Sequence, residues 1–513
     1  MPDTSPTAPR RPSAPSGPQG DPQTFDPEES ADPPPTQIPP RASAEATPGQ
    51  LLSTDAAELV VVANRLPVAR KQTDEGTVWE TSPGGLVSAL EPILSERGGS
   101  WVGWPGFSGD APAPFQHQQI HCHPVSLTLE ETESFYLGFS NGTLWPLYHD
   151  AVRYPSFKRK WWWPYVEVNQ RFARAAVEAL PEESATLWIH DYQLQLVPGM
   201  VRDRRPDARI GFFLHIPFPP VELFAQLPWR KQILRGLLGA DLVGFQTKLG
   251  AQNFSRAARR FAGAKGTDRL LKFEGRQIRV EAFPISIDYE RYEGLSREER
   301  IQSEAERWKR DLGQGRKIFL GVDRLDYTKG IDVRLDAFEA LLEGHPEMAE
   351  HVTFVQIAVP SRELVPEYAR IRDRVEQKVS RINGQYGDPS RPPVQYLYRS
   401  VSAEDLVALY MAADVMAVTP LRDGMNLVAK EYVASRPNGD GVLVLSEFAG
   451  AAKELRSALQ VNPHDVHGIA LAFEHALEMS PAEQRRRMSE MQRAVHRRDV
   501  FEWARSFLRE LEQ

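Results

Sequence analysis

Short apolar, β-branched runs alternate with amphipathic stretches along this chain, and they come in two series. The first series holds Leu59-Val60-Val61-Val62-Ala63, Thr186 to Asp191, Ile210 to His215, Asp241 to Gln246 and Ile278 to Pro284. The second begins at Ile318 and continues through Val352–Ala358, Val394–Tyr398, Val415–Val418 and Val442–Ser446. Runs this short and this apolar fit strands buried on both faces of a parallel sheet. Helical stretches between them, such as Tyr165 to Leu180, make the expected class α/β, with two doubly wound halves. Pro284 to Asp288 reads as the join. The expected divisions are a Pro-rich tail at 1–55, an N-terminal half at 56–285 and a C-terminal half at 286–480. A charged helical tail at 481–513 is expected to pack back on the N-terminal half. Ligands of such sheets sit beyond the carboxyl ends of the strands, so two facing sheets place a site in the cleft between them.

A length of 513 residues exceeds one average domain of ~150 residues, and large α/β halves favour two. The formal net charge of −8 implies no general affinity for polyanions, so any phosphate site must be a local arrangement and no nucleic-acid partner is expected. A single cysteine, Cys122, excludes an intrachain disulfide framework and fits a reducing compartment, so a cytoplasmic location is expected. His121-Cys122-His123 has metal-ligand chemistry, but alternation along a strand puts Cys122 on the face opposite both histidines; no metal site is expected. No run of about 18 apolar residues is present, so no membrane span is expected. Residues 1–55 carry about a third of the 42 prolines and are expected to be disordered.

The loop Gly321 to Gly330 holds Arg324 and Lys329 just past a strand end and next to a helix start. Two cations together with free backbone N–H groups suit a diphosphate. Alone, such a loop is more often a surface ion pair; other strand ends carry similar chemistry. Asn64 and Arg65 end the first strand. Gly84-Gly85 opens a helix and would let amides approach a phosphate. His190-Asp191 and His215 end two more strands. Arg362 follows the Val352–Ala358 run and suits a bidentate phosphate contact. Asp423-Gly424-Met425-Asn426-Leu427-Val428 starts a helix whose amides would face a ligand. Asp423 can accept from sugar hydroxyls, and Glu431, two turns on, from a ribose diol. Trp104, Tyr136 and Trp145 read as loop aromatics suited to sugar faces. Lys158 to Trp163 reads as packing plus a cleft-edge platform rather than a nucleic-acid or membrane surface.

Ala63 to Pro67, Gly84-Gly85-Leu86, Trp101 to Gly106, Phe139 to Pro146, His190 to Leu194, His215 to Pro219, Gly321 to Gly330 and Asp423 to Val428 occur together and in order. In these motifs the chain resembles the trehalose-6-phosphate synthase family of retaining glucosyltransferases, over about residues 58 to 510. The resemblance implies a GT-B fold of two Rossmann-like domains. It implies glucose transfer from a nucleotide-glucose donor (UDP-glucose or GDP-glucose) to glucose 6-phosphate, without a metal or other cofactor. Arg65, Trp104, Tyr136, Trp145, Asp191 and Arg362 would hold the acceptor. Arg324 and Lys329 would neutralise the donor diphosphate, with Gly85 nearby. Asp423 and the amides from Gly424 to Val428 would bind the donor glucose, Glu431 its ribose, and Asp191 with His215 would flank the reacting centre. The absence of any Asp-x-Asp pair agrees with cations doing the work of a metal. Sister enzymes with another acceptor and a non-catalytic sugar-phosphate sensor are the alternatives. The sequence is compatible with a homo-oligomer.

Overall fold

The computed structural model describes residues 59–513 apart from 74–75, 82–85, 88–89, 91–93, 95–97, 183–185, 364 and 389. The tail at 1–55 and Gly85 therefore lie outside the described residues.

The strands of the first half are β1 Leu59–Arg65, β2 Val68–Thr73, β3 Gly76–Thr81, β4 Gly99–Trp104, β5 Phe115–His117, β6 Ile120–Pro124, β7 Thr186–His190, β8 Arg209–Leu214, β9 Leu242–Phe245, β10 Lys265–Gly266, β11 Leu270–Phe273 and β12 Arg276–Ala282. Those of the second are β13 Lys317–Arg324, β14 Val352–Val359, β15 Val394–Tyr398, β16 Val415–Val418, β17 Val442–Ser446 and β18 Leu459–Val461. β2 and β3 form a separate hairpin. The first sheet has the order β10-β11-β12-β9-β8-β7-β1-β4-β6-β5 and is parallel from β12 to β6. The second, β15-β14-β13-β16-β17-β18, is parallel throughout. In each sheet the strand order reverses beside the first strand, at β1/β7 and at β13/β16. Those reversals open the crevices where doubly wound sheets bind ligands. The central strands are apolar because both faces are covered: all eight residues of β14 are buried.

The main helices used below are α1 Arg159–Ala179, α2 Ile331–Gly344, α3 Pro366–Tyr386, α4 Ala403–Ala412, α5 Leu427–Ala434, α6 Pro481–Arg497 and α7 Val500–Glu512. Met488, Met491 and Val495 of α6 pack with the second half, whereas Trp503, Phe507, Leu508 and Leu511 of α7 pack with Trp188, Phe213 and Leu242 of the first. The chain thus crosses between the halves twice, once at residues 283–288 and once between α6 and α7. The crossings touch: the Val500 N–H donates to the Ile287 carbonyl at 3.0 Å.

Cys122 is buried while His121 is exposed, the alternation expected of β6, and burial pushes the thiol up to about 12. The tryptophans at the start of α1 divide by role. Trp162 stacks on Trp229 at 5.2 Å in the core, and Trp161 lies against Gly138, where a Cβ would come within 2.8 Å of its ring. Trp163 is exposed.

Candidate active site

Residues at the carboxyl ends of β1, β7 and β8 meet those following β13, β14 and β16. Trp145, from the first half, is where the two sides converge. The guanidinium carbons of Arg362 and Arg324, both from the second half, lie 4.3 Å and 5.6 Å from its ring centroid. Trp145 also sits 5.6 Å from the Tyr192 ring. Arg65, at the end of β1, lies over Trp104 at 4.7 Å, and Trp104 contacts Tyr136 at 5.8 Å. One correction concerns these aromatics: Trp104 ends β4, and Tyr136 and Trp145 are helical rather than in loops. Gly138, Gly142 and Pro146 suggest a broken chain, but Thr132–Leu144 winds as a wide helix in which Trp145 N–H reaches the Ser140 carbonyl. Its glycines make room for Trp161.

Asp191 has φ 75° and ψ 172°, a region that side chains other than glycine rarely enter and that costs about 1–3 kcal/mol. Its N–H donates to Phe213 at 2.8 Å, and its Oδ1 accepts the His215 N–H at 3.2 Å. Burial lifts its carboxyl to about 7, against the lowering effects of the Tyr192 and His215 amides and of Arg362 and Arg324. Nε2 of His215 lies 3.2 Å from Nδ1 of His190. Burial holds His215 down at about 3 and His190 well below its ordinary value, so both rings are neutral at pH 7. His215 therefore turns its ring toward His190, while its backbone meets the second half. A Cβ on Gly424 would stand 2.6 Å from the His215 carbonyl oxygen, so only glycine permits this approach.

At the start of α5, Asp423 pairs with Lys329 at 2.5 Å, and it accepts the Met425 N–H at 3.1 Å and the Asn426 amide at 3.2 Å. Burial raises its carboxyl, but Lys329, the Met425 N–H and His149 together outweigh that and hold it below the usual range. Lys329 and Asp423 thus neutralise each other at the mouth of the crevice. Asn426, at φ 64°, caps α5 by accepting the Ala429 N–H at 3.3 Å. Met425 and Leu427 pack on the first half and Val428 on the second, which carries this helix start into the cleft. Glu431 accepts from the Tyr410 hydroxyl at 2.8 Å and from Tyr292, and burial raises its carboxyl. Arg362 stands at φ 50° and pairs with Asp326 at 3.2 Å.

Three site residues escaped the sequence reading. Asp326 lies inside the cation loop. Tyr368 is on α3. His149 is buried against Trp145 at 4.2 Å, and burial lowers it to about 4. A polar residue every few positions after a strand was the available signal for Asp326; nothing in the sequence marks the other two.

The titration of Asp191 gives a pH prediction. Its folded value exceeds the unfolded ~3.9, so between those values the native chain keeps a proton that the unfolded chain has lost, and stability falls as pH rises through that window. An activity that uses the ionised carboxylate as a hydrogen-bond acceptor should move the other way: kcat/KM should rise through about pH 7, and Asp191→Asn should flatten that limb of the profile. A limb unchanged in Asp191→Asn assigns it elsewhere.

Two doubly wound sheets, with cationic and hydroxyl-accepting groups meeting in the crevice between them, define a GT-B glycosyltransferase. Comparison with known proteins narrows this: residues 57–513 match the model of glycosyltransferase family 20, and the chain belongs to that family. Trehalose-6-phosphate synthase of Mycobacterium sp. (strain KMS) is 51% identical over 476 residues, covering 91% of this chain and 97% of that one. Among solved structures, a UDP-forming α,α-trehalose-phosphate synthase from Burkholderia xenovorans in complex with glucose-6-phosphate superposes with a TM-score of 0.81 at 34% identity, over 89% of this chain and all of the other. An E. coli structure bound with UDP-2-fluoro glucose gives 0.82 at 36%, over 89% and 99%. Among the described residues, no helix is long and apolar enough to cross a membrane.

Proposed function

We propose that the protein transfers glucose, with retention, from a nucleotide-glucose donor to glucose 6-phosphate, forming α,α-trehalose 6-phosphate. The observation that carries this reading is the pair of guanidinium groups on one indole: Arg324 and Arg362 both lie over Trp145. Two fixed cations there suit two anions meeting at one point, a leaving diphosphate and an acceptor phosphate. The ligands of the E. coli and Burkholderia relatives are of these two kinds.

In this reading Arg324 and Lys329 take up the negative charge that grows on the diphosphate as the anomeric C–O bond breaks. Asp423 and the amides from Gly424 to Val428 hold the donor glucose, and Glu431 holds the ribose. Arg362, Arg65, Tyr136, Trp104 and Trp145 hold the acceptor. Asp191 accepts from an acceptor hydroxyl, and His215 lines the donor sugar with its backbone. No side chain is assigned as a covalent nucleophile. The attacking hydroxyl adds on the face the diphosphate leaves, and the leaving phosphate oxygen takes its proton.

The cations, rather than a metal, are proposed to carry the charge; among the described residues no group of three or more His, Cys, Asp or Glu is placed to hold an ion. The test supplies UDP-glucose, GDP-glucose and ADP-glucose in turn with glucose 6-phosphate and follows nucleotide release. Turnover with at least one donor, unchanged by EDTA, is expected. No release with any donor refutes the transfer, and loss with EDTA refutes the role given to the cations.

A further inference from the structure

We propose that Asp326 is a positioning residue shared by the two anion subsites, and that Tyr368 anchors it on the acceptor side. The inference rests on the assignment of Arg324 and Lys329 to the donor and of Arg362 to the acceptor. Asp326 is 1% exposed, and its two carboxylate oxygens serve different partners. Oδ1 accepts the N–H of Thr328 at 2.9 Å and its hydroxyl at 2.8 Å. These bonds shape the tight turn Tyr327–Lys329 that delivers Lys329. Oδ2 accepts the Tyr368 hydroxyl at 2.8 Å and Nη1 of Arg362 at 3.2 Å. Arg362 also donates to Tyr368 and, at 3.4 Å, to the Tyr192 hydroxyl of the first half.

The planar carboxylate therefore ties the donor turn and the acceptor arginine to one rigid group. Its charge has a second use. Arg324, Arg362 and Lys329 act together on Asp326 and overcome burial, holding it ionised down to about 2. Asp326 thereby offsets the mutual repulsion of these cations before any anion arrives and leaves them aimed. Neither oxygen touches solvent, so its role is to hold other groups in place.

Because the two oxygens are divided, the effects of substitution should divide as well. Calorimetry with uridine diphosphate reads the donor subsite, and glucose 6-phosphate reads the acceptor subsite. Tyr368→Phe should weaken glucose 6-phosphate about three- to tenfold, the worth of one hydrogen bond, and shift uridine diphosphate by no more than about twofold. Thr328→Val should do the reverse. Asp326→Asn should weaken both. Equal losses of both ligands in either single-arm variant, loss of neither, or a one-ligand effect in Asp326→Asn overturns the proposal. Equal losses accompanied by a lowered melting temperature identify a purely structural role and overturn it too. Wild-type turnover is measured separately. A protein that binds both ligands but does not turn over refutes the transfer reading and leaves the variants to decide the role of Asp326, whereas a protein that binds neither refutes both.

Discussion

Replacing Arg324 by alanine is expected to lower kcat about 10²- to 10³-fold, the loss seen when one donor to a developing oxyanion is removed. Arg324 ends β13 at the strand-order reversal, partly exposed to the cleft, with its guanidinium over Trp145. Its packing on Trp145 and its pull on buried Asp326 and Asp191 also contribute to the fold, so the melting temperature of the variant is measured beside kcat to separate the two effects. Arg324→Lys should recover only part of the rate, because an ammonium lacks the planar fork that grips two phosphate oxygens. Steady-state nucleotide release at saturating acceptor measures both. Near-normal turnover in Arg324→Ala removes the charge-stabilising role proposed for it.

The second large effect concerns stability and a different arginine. Arg334 of α2 is 0% exposed. It pairs with Asp323 at 2.8 Å and donates to Gln356 at 3.0 Å and Thr419 at 3.0 Å. It thus ties β13 to β14 and to the segment after β16, beneath the cation loop. Arg334→Met keeps much of the volume but strands the Asp323 carboxylate, which burial already raises against the pull of Arg334 and Lys329. Breaking a buried pair from one side costs about 3–5 kcal/mol. Arg334→Met should therefore lower Tm by several degrees, and adding Asp323→Asn should restore part of the loss. Additive losses in the double variant would show that the pair is not the source.

These two arginines illustrate what could be read from residues alone. Arg324 follows an apolar run and precedes a helix, so position relative to local elements was enough to single it out. The same logic located Arg65, Asp191, His215, Arg362 and the start of α5, because parallel sheets gather their strand ends on one side. The α/β class and the two series of strands followed from the same runs. Arg334 lies inside a helix, and its partners come from Asp323, Gln356 and Thr419, as many as 85 residues away; no local pattern reveals such a contact. Tyr368 and His149 were hidden for the same reason. The helical state of Tyr136 and Trp145 was obscured by glycines, whose purpose is to admit Trp161 from another helix. Positive φ at Asp191, Arg362 and Asn426 depends on the surrounding fold as well.

The paired crossings at Ile287 and Val500 constrain how the crevice can admit its substrates. A single linker would let the lobes twist and slide as well as open. The two crossings, joined by the hydrogen bond from Val500 to Ile287, make a double connection between the lobes that is stiffer against twist and sliding than one linker. Trimming the chain before Val500 would remove the second crossing and uncover the apolar floor around Trp188 and Phe213. The helix Val500–Glu512 thus fastens the end of the second lobe to the floor of the first, beside the first crossing.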